Sequence, residues 1–243
     1  MRKRCCFVSL MLLLAGVAWV AAPAKIDDLL VYLPMDEGAG SDVADASGNG
    51  FDGTVNGGKW VDGQFGSNAL ELVAAEEVRI EDDPALDGGE EFTIGLWVFQ
   101  EIEQATGLIQ KGTNWPDVSY LLPPWSDGQI YFGVNVTDSR AISKPGTHSL
   151  GEWYHVAGTF DGSDLKLYID GALAAEAPAP VDVAPDTTSP VLLGNRFAGQ
   201  IDEFVMYSRA LSEEELEAIF TGDFLAVEAR DKLATTWGAV KAR

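Results

Sequence analysis

Gly151 to Ala177 reads GEWYHVAGTFDGSDLKLYIDGALAAEA, and this stretch carries the strongest structural signal in the chain. Side chains alternate in character from Trp153 to Phe160 and again from Leu165 to Ile169, which is the period of a β-strand. A glycine-containing turn joins the two runs, so they predict an antiparallel hairpin. Asp170-Gly171 then supplies two residues that tolerate positive φ, and a third short strand should fold back on the second.

The residue pattern of this stretch also resembles that of a known family. Trp153 to Gly162 fits W-x-H-V-A-x-T-[FY]-D-G, and Leu165 to Gly171 fits L-x-L-Y-[IV]-D-G. Both patterns are similar to the laminin-G-like jelly-roll domains of the concanavalin A-like superfamily, which are mostly secreted binding modules. Further segments resemble the family in the same order: Leu30 to Leu72, Phe92 to Val98, Leu192 to Asn195, Ala198 to Phe204 and Tyr207 to Ser212.

The resemblance implies an all-β fold, a concanavalin A-like jelly-roll sandwich of two antiparallel sheets packed face to face. One short helix is expected near the end of the chain. Ser212 and Glu215 form a capping box at its start, Leu211 can pack on Leu216, and Gly222 ends it. The glutamates at positions 213 to 215 lie in the first turn, where the helix dipole favours negative charge.

The start of the chain has the features of a secretory signal peptide. Arg2 to Arg4 precede an apolar run from Phe7 to Val20, and Ala22-Pro23-Ala24 offers a cleavage site. The run of about 14 residues is shorter than the roughly 20 that a membrane-spanning helix needs, although an uncleaved anchor remains the alternative. Residues 1–24 are therefore predicted to be a signal peptide. The exported protein would begin near Lys25 and would lack both cysteines, Cys5 and Cys6, which excludes disulfides and thiol chemistry.

The remaining chain divides into a single domain and a tail. Residues 25–222 fit one large β-sandwich, because no linker, repeat or low-complexity block interrupts them. Residues 223–243 have a different composition, with mixed charges and irregularly spaced apolar residues. This tail is predicted to be either an extension lying across the sandwich or a docking signal read by another component.

Charge excludes one class of partner. The chain has 16 basic and 38 acidic residues, a net charge of −22. A polyanion would meet no basic stripe on such a surface, so nucleic-acid binding is not expected. No segment after the signal peptide is apolar and long enough to span a bilayer. The acidity fits both solubility outside the cell and attraction of divalent cations.

A calcium site is the first candidate for chemistry. Oxygen-bearing residues recur at alternate positions in Asp45-Ala46-Ser47-Gly48-Asn49-Gly50, although the flanks rule out an EF-hand. Several laminin-G-like domains hold calcium at the corresponding loop, and the resemblance implies the ligands Asp36, Asp45, Asn49 and Asp202. The metal would be structural and would tie the first and last strands together. The alternative is that Asp and Asn only form Asx-turns in a glycine-rich loop.

A catalytic function is not expected. Glucanases of this fold carry a strand of the form E-[ILV]-D-x-E, which places three acids on one face. Here the matching strand is Gln200 to Phe204, and alternation predicts that Glu203 points away from Asp202 without a partner. The two histidines do not suggest a catalytic triad: His155 should be a hydrogen-bonded packing residue in a strand, and His148 lies in a loop.

An aromatic sugar platform is the third candidate. Trp115 and Trp125 fall in the segment from Thr113 to Asp127, which has no clear strand alternation, so their indoles should be exposed to stack on sugar rings. Asn114, Asp117 and Asp127 could bond sugar hydroxyls. The alternative is that both indoles cap the end of the sandwich. Trp97 and Trp153 lie in predicted strands and should pack.

Together these features predict a secreted, non-catalytic binding module that recognises glycans or glycosylated surfaces, with structural calcium. Two other functions stay open. One is a glycan-degrading enzyme whose acids the pattern does not reveal, and the other is a structural or adhesive surface protein that binds other proteins.

Overall fold

The computed structural model describes residues 28–222, except 66–67, 106, 115–116, 126, 135–139, 145 and 180–187. The predicted signal peptide, residues 1–24, and the predicted tail, residues 223–243, lie outside the described residues. Both therefore stay predictions.

Within the described residues, strands numbered in chain order form two antiparallel sheets of eight strands each. The first sheet contains β1 (Leu29–Leu33), β4 (Lys59–Val61), β5 (Ala69–Leu72), β7 (Phe92–Phe99), β12 (Trp153–Phe160), β13 (Asp164–Ile169), β14 (Ala172–Pro178) and β16 (Gly199–Tyr207). Its order is β14-β13-β12-β7-β16-β5-β4, and β1 also pairs with β16.

The second sheet contains β2 (Asp42–Val43), β3 (Gly53–Asn56), β6 (Glu77–Ile80), β8 (Ile109–Asn114), β9 (Asp117–Leu122), β10 (Tyr131–Val134), β11 (Ala141–Ile142) and β15 (Val191–Leu193). Its order is β11-β10-β9-β8-β15-β6-β3-β2. A 3₁₀ turn covers Pro84–Leu86, and the helix α1 covers Glu213–Phe220. This architecture confirms the predicted all-β sandwich with one short helix.

The hairpin predicted from the sequence is present. Strand β12 pairs with β13 from Val156 opposite Ile169 to Phe160 opposite Leu165. Asp170 and Gly171 both have positive φ, 52° and 75°, as a two-residue hairpin turn requires. The strand that follows, β14, pairs with β13 and is longer than the short strand expected from the sequence.

The core lies between the sheets and is built from the inward side chains of both. Ile94, Leu96 and Val98 of β7 face Phe132 and other large residues of the second sheet, and all are buried. Gly158 shows how closely the sheets approach. A Cβ atom at this position would lie 2.3 Å from Cδ2 of Phe132, so no larger residue fits there.

The outer face of the first sheet is also covered. A second apolar cluster on this face includes Tyr168, Val205 and Tyr207 of the strands together with Leu216 and Ile219 of α1. Burying each of these two helix side chains is worth about 1.5–3 kcal/mol. The helix therefore buries part of the outer face of the first sheet.

Helix α1 begins as the sequence predicts. Ser212 Oγ accepts a hydrogen bond from Glu215 N–H at 3.3 Å, and Glu215 Oε2 accepts one from Ser212 N–H at 2.9 Å. Arg209 adds a bidentate pair to Glu215 at 2.6 and 2.9 Å, which with the cap lowers the pKa of that carboxyl to about 2. No described helix has the length and apolar character needed to cross a membrane.

Candidate functional site

Asp45, one of the predicted calcium ligands, organises its own loop. Its carboxylate accepts hydrogen bonds from Tyr32 N–H, Ser47 N–H, Gly50 N–H and Phe51 N–H, each at 3.0 Å, and from Ser47 Oγ at 2.7 Å. Both carboxylate oxygens are used. The residue thus performs the Asx-turn role that the sequence left open as the alternative to calcium.

Asn49 also bonds to the protein. Its side-chain amide donates to the carbonyls of Leu29 and Leu30, both at 2.9 Å, and so fixes the loop to the first strand. The loop from Asp45 to Phe51 and strand β1 are therefore tied together by side-chain hydrogen bonds.

Asp36 and Asp202, the other two predicted ligands, hold a different segment. Asp36 Oδ1 accepts from Asn68 N–H at 3.1 Å, and Asp202 Oδ2 accepts from Gln64 N–H at 2.9 Å. Among the residues that the structure describes, no three His, Cys, Asp or Glu side chains are grouped so that they could hold a metal ion. The structure thus places Asp36 and Asp202 beside the segment that contains Gln64 and Asn68, and calcium binding by the four predicted ligands stays a prediction.

The prediction that Glu203 lies alone on the opposite face from Asp202 is wrong. Strand β16 has a register shift between Asp202 and Val205, and Glu203 has φ 54°. This bulge inserts one extra residue and turns Glu203 toward the outer face, where its Oε2 accepts from the Tyr32 hydroxyl at 2.6 Å. The strand therefore carries two neighbouring acids on one face.

Burial and neighbouring carboxylates raise the pKa of both acids, with the charge of Glu203 acting on Asp202 and that of Asp36 acting on Glu203. Asp202 and Glu203 are 1% and 3% exposed. Desolvation first, and then the charge of Glu203, raise the pKa of Asp202 to about 8. Desolvation likewise raises the pKa of Glu203 to about 7, although the hydrogen bond from Tyr32 opposes the shift. The same burial and the Glu203 charge raise the pKa of the Tyr32 hydroxyl.

These shifts predict how stability changes with pH. A carboxyl whose pKa is raised in the folded state binds more protons folded than unfolded, so its stabilising contribution is lost as pH rises through the folded pKa. Above about pH 7 Glu215 adds nothing and His155 adds little to the pH dependence, since their ordinary pKa values, 4.5 and 6.5, already lie below this window. We expect the free energy of unfolding to fall by about 1–2 kcal/mol between about pH 7 and 8.5.

Urea titrations at several pH values measure this loss, and Asp202→Asn is the matched variant. It removes the group with the higher pKa, so most of the pH dependence in this window should disappear. A variant whose stability falls as steeply as that of the parent would contradict the assignment.

The segment from Thr113 to Asp127, predicted to lack strands, is largely a hairpin. Asn114 ends β8 and Asp117 begins β9, and these two residues pair in register. The alternation was masked because the register shifts twice at Gly112. Trp115 lies outside the described residues, as do the side chains of Asn114 and Asp117. Their predicted roles in ligand binding stay predictions.

Trp125 lies in a tight turn at the rim of the second sheet. Its N–H donates to Gln129 O at 2.8 Å, and Gly128 N–H donates back to Trp125 O at 3.1 Å. The indole is 41% exposed and stacks on Tyr131, with 5.2 Å between ring centroids and 21° between the planes. Asp127 Oδ1 accepts from Gln129 N–H at 3.2 Å, which holds it beside this turn.

Neighbours that the sequence did not single out extend this surface. Arg140 Cζ lies 5.5 Å from the centre of the Tyr131 ring, and Ile142, 41% exposed, pairs with Tyr131 across β10 and β11. Gln129 donates to Ser143 O at 3.0 Å. We call Trp125, Tyr131 and Ile142 the rim platform. Alternation in the short run from Ile130 to Val134 was the signal that could have placed Tyr131 beside Trp125.

The histidines differ from expectation. His155 is 1% exposed and buried as predicted, but its ring nitrogens have no hydrogen-bond partner among the described residues. Desolvation lowers its pKa to about 3, so the ring is neutral. His148 Nε2 lies 3.3 Å from Gln100 Nε2, and its ring packs on Tyr154 with centroids 4.7 Å apart. Among the residues that the structure describes, neither ring has a hydrogen bond to an acid or a hydroxyl.

Comparison with known protein families supports the jelly-roll fold described above. The sequence model of the family Laminin_G_3, described as concanavalin A-like lectin/glucanases superfamily, matches residues 74–217. The chain belongs to this family. None of the curated proteins matches it. The laminin-G-like resemblance drawn from the sequence motifs is thereby confirmed.

Solved structures of similar fold include a domain of an arabinanase, a binding domain of a toxin and a sialidase. Domain 4 of AbnA, an extracellular GH43 arabinanase from Geobacillus stearothermophilus solved with arabinotriose, is 20% identical with a TM-score of 0.62, covering 79% of this chain and 98% of that one. The binding domain of Paraclostridial Mosquitocidal Protein 1 is 21% identical with a TM-score of 0.67, covering 82% and 53%.

Trypanosoma rangeli sialidase, solved with the inhibitor DANA, is 18% identical with a TM-score of 0.61, covering 79% of this chain and 32% of the sialidase. The chain thus spans about half of the toxin binding domain and about a third of the sialidase. At these identities the likeness shows the fold alone.

Proposed function

We propose that this laminin-G-like protein is a non-catalytic module that binds glycans or glycosylated surfaces through the rim platform. The observation that carries the proposal is the stacking of the exposed Trp125 indole on the half-buried Tyr131 ring. An exposed aromatic face packs against the C–H groups of a sugar ring, and the Tyr hydroxyl, Asp127 and Arg140 supply polar groups around it. We further propose that the protein is exported after cleavage near Ala24.

The solved neighbours support the ligand class. The arabinanase domain was solved with arabinotriose, and a binding domain of botulinum neurotoxin, 12% identical, was solved with SialylT. A fold used repeatedly for carbohydrate recognition makes a glycan the first ligand to test here.

The burial of the acids favours binding over hydrolysis. Glycoside hydrolysis needs two carboxyl groups open to the scissile bond, about 5–10 Å apart. Asp202 and Glu203 are nearly inaccessible, and their oxygens bond to Gln64 and Tyr32. Mass spectrometry of oligosaccharides after incubation with the protein checks this, because shortened products would favour the enzyme instead.

Replacing Trp125 should weaken glycan binding without unfolding the protein. The indole is exposed, so Trp125→Ala removes the stacking face but not the turn, whose hydrogen bonds are made by backbone atoms. Losing a stacked indole costs about 1–3 kcal/mol, roughly a 5- to 150-fold rise in Kd. The measurement is calorimetric titration with arabinotriose and with the glycans that bind on an array.

Leu173→Ala is the matched control. Leu173 is 44% exposed, close to the value for Trp125, but it lies on β14 of the other sheet. Leu173→Ala should bind the glycan with the same Kd as the parent protein. If Trp125→Ala also binds as tightly as the parent, the rim platform is not the glycan site.

Calcium binding stays a prediction from the family resemblance, since Asp45 uses both carboxylate oxygens on protein donors. If Asp36, Asp45, Asn49 and Asp202 rearrange to hold the ion, calcium at about 100 times its Kd should stabilise the fold by about 2.7 kcal/mol. Thermal melts with millimolar calcium or with chelator measure the rise, and Asp202→Ala should abolish it. Identical melting temperatures would leave these residues a purely structural role.

A further inference from the structure

Asp202, Trp97 and His155 form one row across the outer face of the first sheet. Asp202 of β16 lies opposite Trp97 of β7, and Trp97 lies opposite His155 of β12. The rings of Trp97 and His155 are 5.7 Å apart. The three residues are only 1%, 4% and 1% exposed. We call them the polar row.

The polar row contains buried polar atoms that lack partners. Within the described part of the chain, Asp202 Oδ1, Trp97 Nε1 and both ring nitrogens of His155 have no hydrogen-bond partner. Leaving such an atom buried and unpaired is unfavourable, because the atom has given up its hydrogen bonds to water and gained none in return. Neighbouring atoms of this kind are rare in one patch of a native protein, and a ligand that bonds to them would remove the cost.

Two aromatic side chains cover the row. Phe220, in the last turn of α1, stacks on the indole of Trp97 with ring centroids 5.3 Å apart and 18° between planes. Phe65 meets the same indole edge-on at 5.2 Å. Phe220 thus occupies the face of Trp97 on which a flat or ring-shaped ligand would stack.

The two side chains that cover the polar row, Phe65 and Phe220, are not held equally firmly. Phe65 belongs to the segment whose backbone is held by Asp202 and Asp36. Phe220 lies at the end of its helix, followed by Thr221 and by Gly222 with φ 74°, and no basic residue stabilises this last turn. Helix ends fray at low free-energy cost, so Phe220 is the part of the cover that can leave.

The unpaired atoms define the chemistry of the ligand. Trp97 Nε1–H only donates, and neutral His155 offers one donor and one acceptor. A cation offers no acceptor to the two donors, and an anion offers no donor to the acceptor nitrogen of His155. A hydroxyl both donates and accepts, so hydroxyl groups on a ring with an apolar face match the row and the indole together.

The outer face of the first sheet continues beyond the side chains of Phe65 and Phe220. Phe99 and Trp153, one step further along β7 and β12, pair in register with ring centroids 5.7 Å apart, and both are half-buried. Gln200 lies opposite Phe99 on the other side. A chain of sugar units entering over Phe99 and Trp153 would reach the polar row at its end.

We propose that the polar row is a second binding site, for a neutral hydroxylated ring such as a monosaccharide unit, and that Phe220 is an internal occupant which the ligand displaces. The proposal shares its ligand class with the proposed function but not its residues. It is therefore tested in a Trp125→Ala background, where the rim platform has been removed.

The experiment follows the indole N–H signal of Trp97 by ¹⁵N NMR, assigned by its loss in Trp97→Phe. Arabinose, galactose, glucose and mannose are the probes. Because Phe220 competes for the indole face, Phe220→Ala and Phe220→Leu should lower the apparent Kd of a sugar that shifts this signal by about fivefold or more. Asp202→Asn, added to either variant, should weaken the binding again.

Phe51→Ala is the matched control, since Phe51 is also half-buried but packs against the main core away from the row. It should leave the Trp97 signal and the affinity unchanged. The proposal is overturned if no sugar shifts the Trp97 signal in either Phe220 variant, or if Phe51→Ala increases binding equally. Phe220→Leu keeps an apolar side chain on the helix, so at least one variant retains the fold.

Discussion

Replacing Lys111 with methionine is expected to lower the free energy of unfolding by about 3–5 kcal/mol, because it leaves the buried carboxylate of Asp87 and the partly exposed one of Asp82 without their cation. Lys111 lies in β8 with a fully buried side chain. Its ammonium group contacts Asp82 Oδ1 at 2.7 Å and Asp87 Oδ1 at 3.2 Å, and it donates to Ser189 O at 2.6 Å. The ammonium therefore donates two hydrogen bonds, and Asp87 adds an ion-pair contact.

Urea denaturation of Lys111→Met measures this loss. Lys59→Met is the control, since the Lys59–Glu71 pair is 3.5 Å long with side chains 75% and 41% exposed, and such pairs contribute about 0–1 kcal/mol. Adding Asp82→Asn and Asp87→Asn to Lys111→Met should recover part of the stability, because the unpaired charges are then gone. A loss below about 1 kcal/mol in Lys111→Met would contradict the ion-pair argument.

Replacing Asp45 with alanine is expected to destabilise the protein by about 3 kcal/mol. Hydrogen bonds to a charged acceptor are worth about 1.5–3 kcal/mol each, but water can reach several of these donors and reduces the sum. The donor that loses most is Tyr32 N–H, which lies in strand β1. Without the carboxylate, β1 still receives hydrogen bonds from the backbone N–H of Ala46 and from the side chains of Ser47 and Asn49, so the loss is partial.

Chemical denaturation again gives the measurement. Asp42→Ala, at an exposed carboxylate in neighbouring β2, should change stability by less than about 0.5 kcal/mol. Asp45→Asn keeps one acceptor oxygen and should fall between the parent and the alanine variant. Equal stability of Asp45→Ala and the parent would show that the loop does not depend on this side chain.

The parts of the fold that the sequence predicted are those fixed by local chemistry. The alternation in β12 and β13, the turn at Asp170-Gly171 and the cap at Ser212 each depend on neighbouring residues, and each is present. Local signals of this kind can be read without knowing the rest of the chain.

The features that were missed depend on distant partners or on the backbone. The residue types around Glu203 do not indicate a positive φ at this position. Simple alternation therefore assigned the Glu203 side chain to the wrong face of the strand. The three oxygen atoms that contact the Lys111 ammonium belong to residues 82, 87 and 189, all of which are distant from Lys111 in the sequence. The turn-forming role of Asp45 could not be separated from a calcium-binding role in the sequence, because turn formation and oxygen ligation use the same residue types.

The pairing of the first strand with the last also determines how the sandwich responds to mechanical force. Leu29 lies opposite Tyr207, and Ser208 N–H donates to Asp28 O at 2.8 Å, so the two ends of this strand pair leave the sheet side by side. Tension applied at Asp28 and Ser208 therefore loads the β1–β16 hydrogen bonds one after another rather than together. Strand β1 should peel first, and the bond from Tyr32 N–H to Asp45 is where the peeling meets resistance.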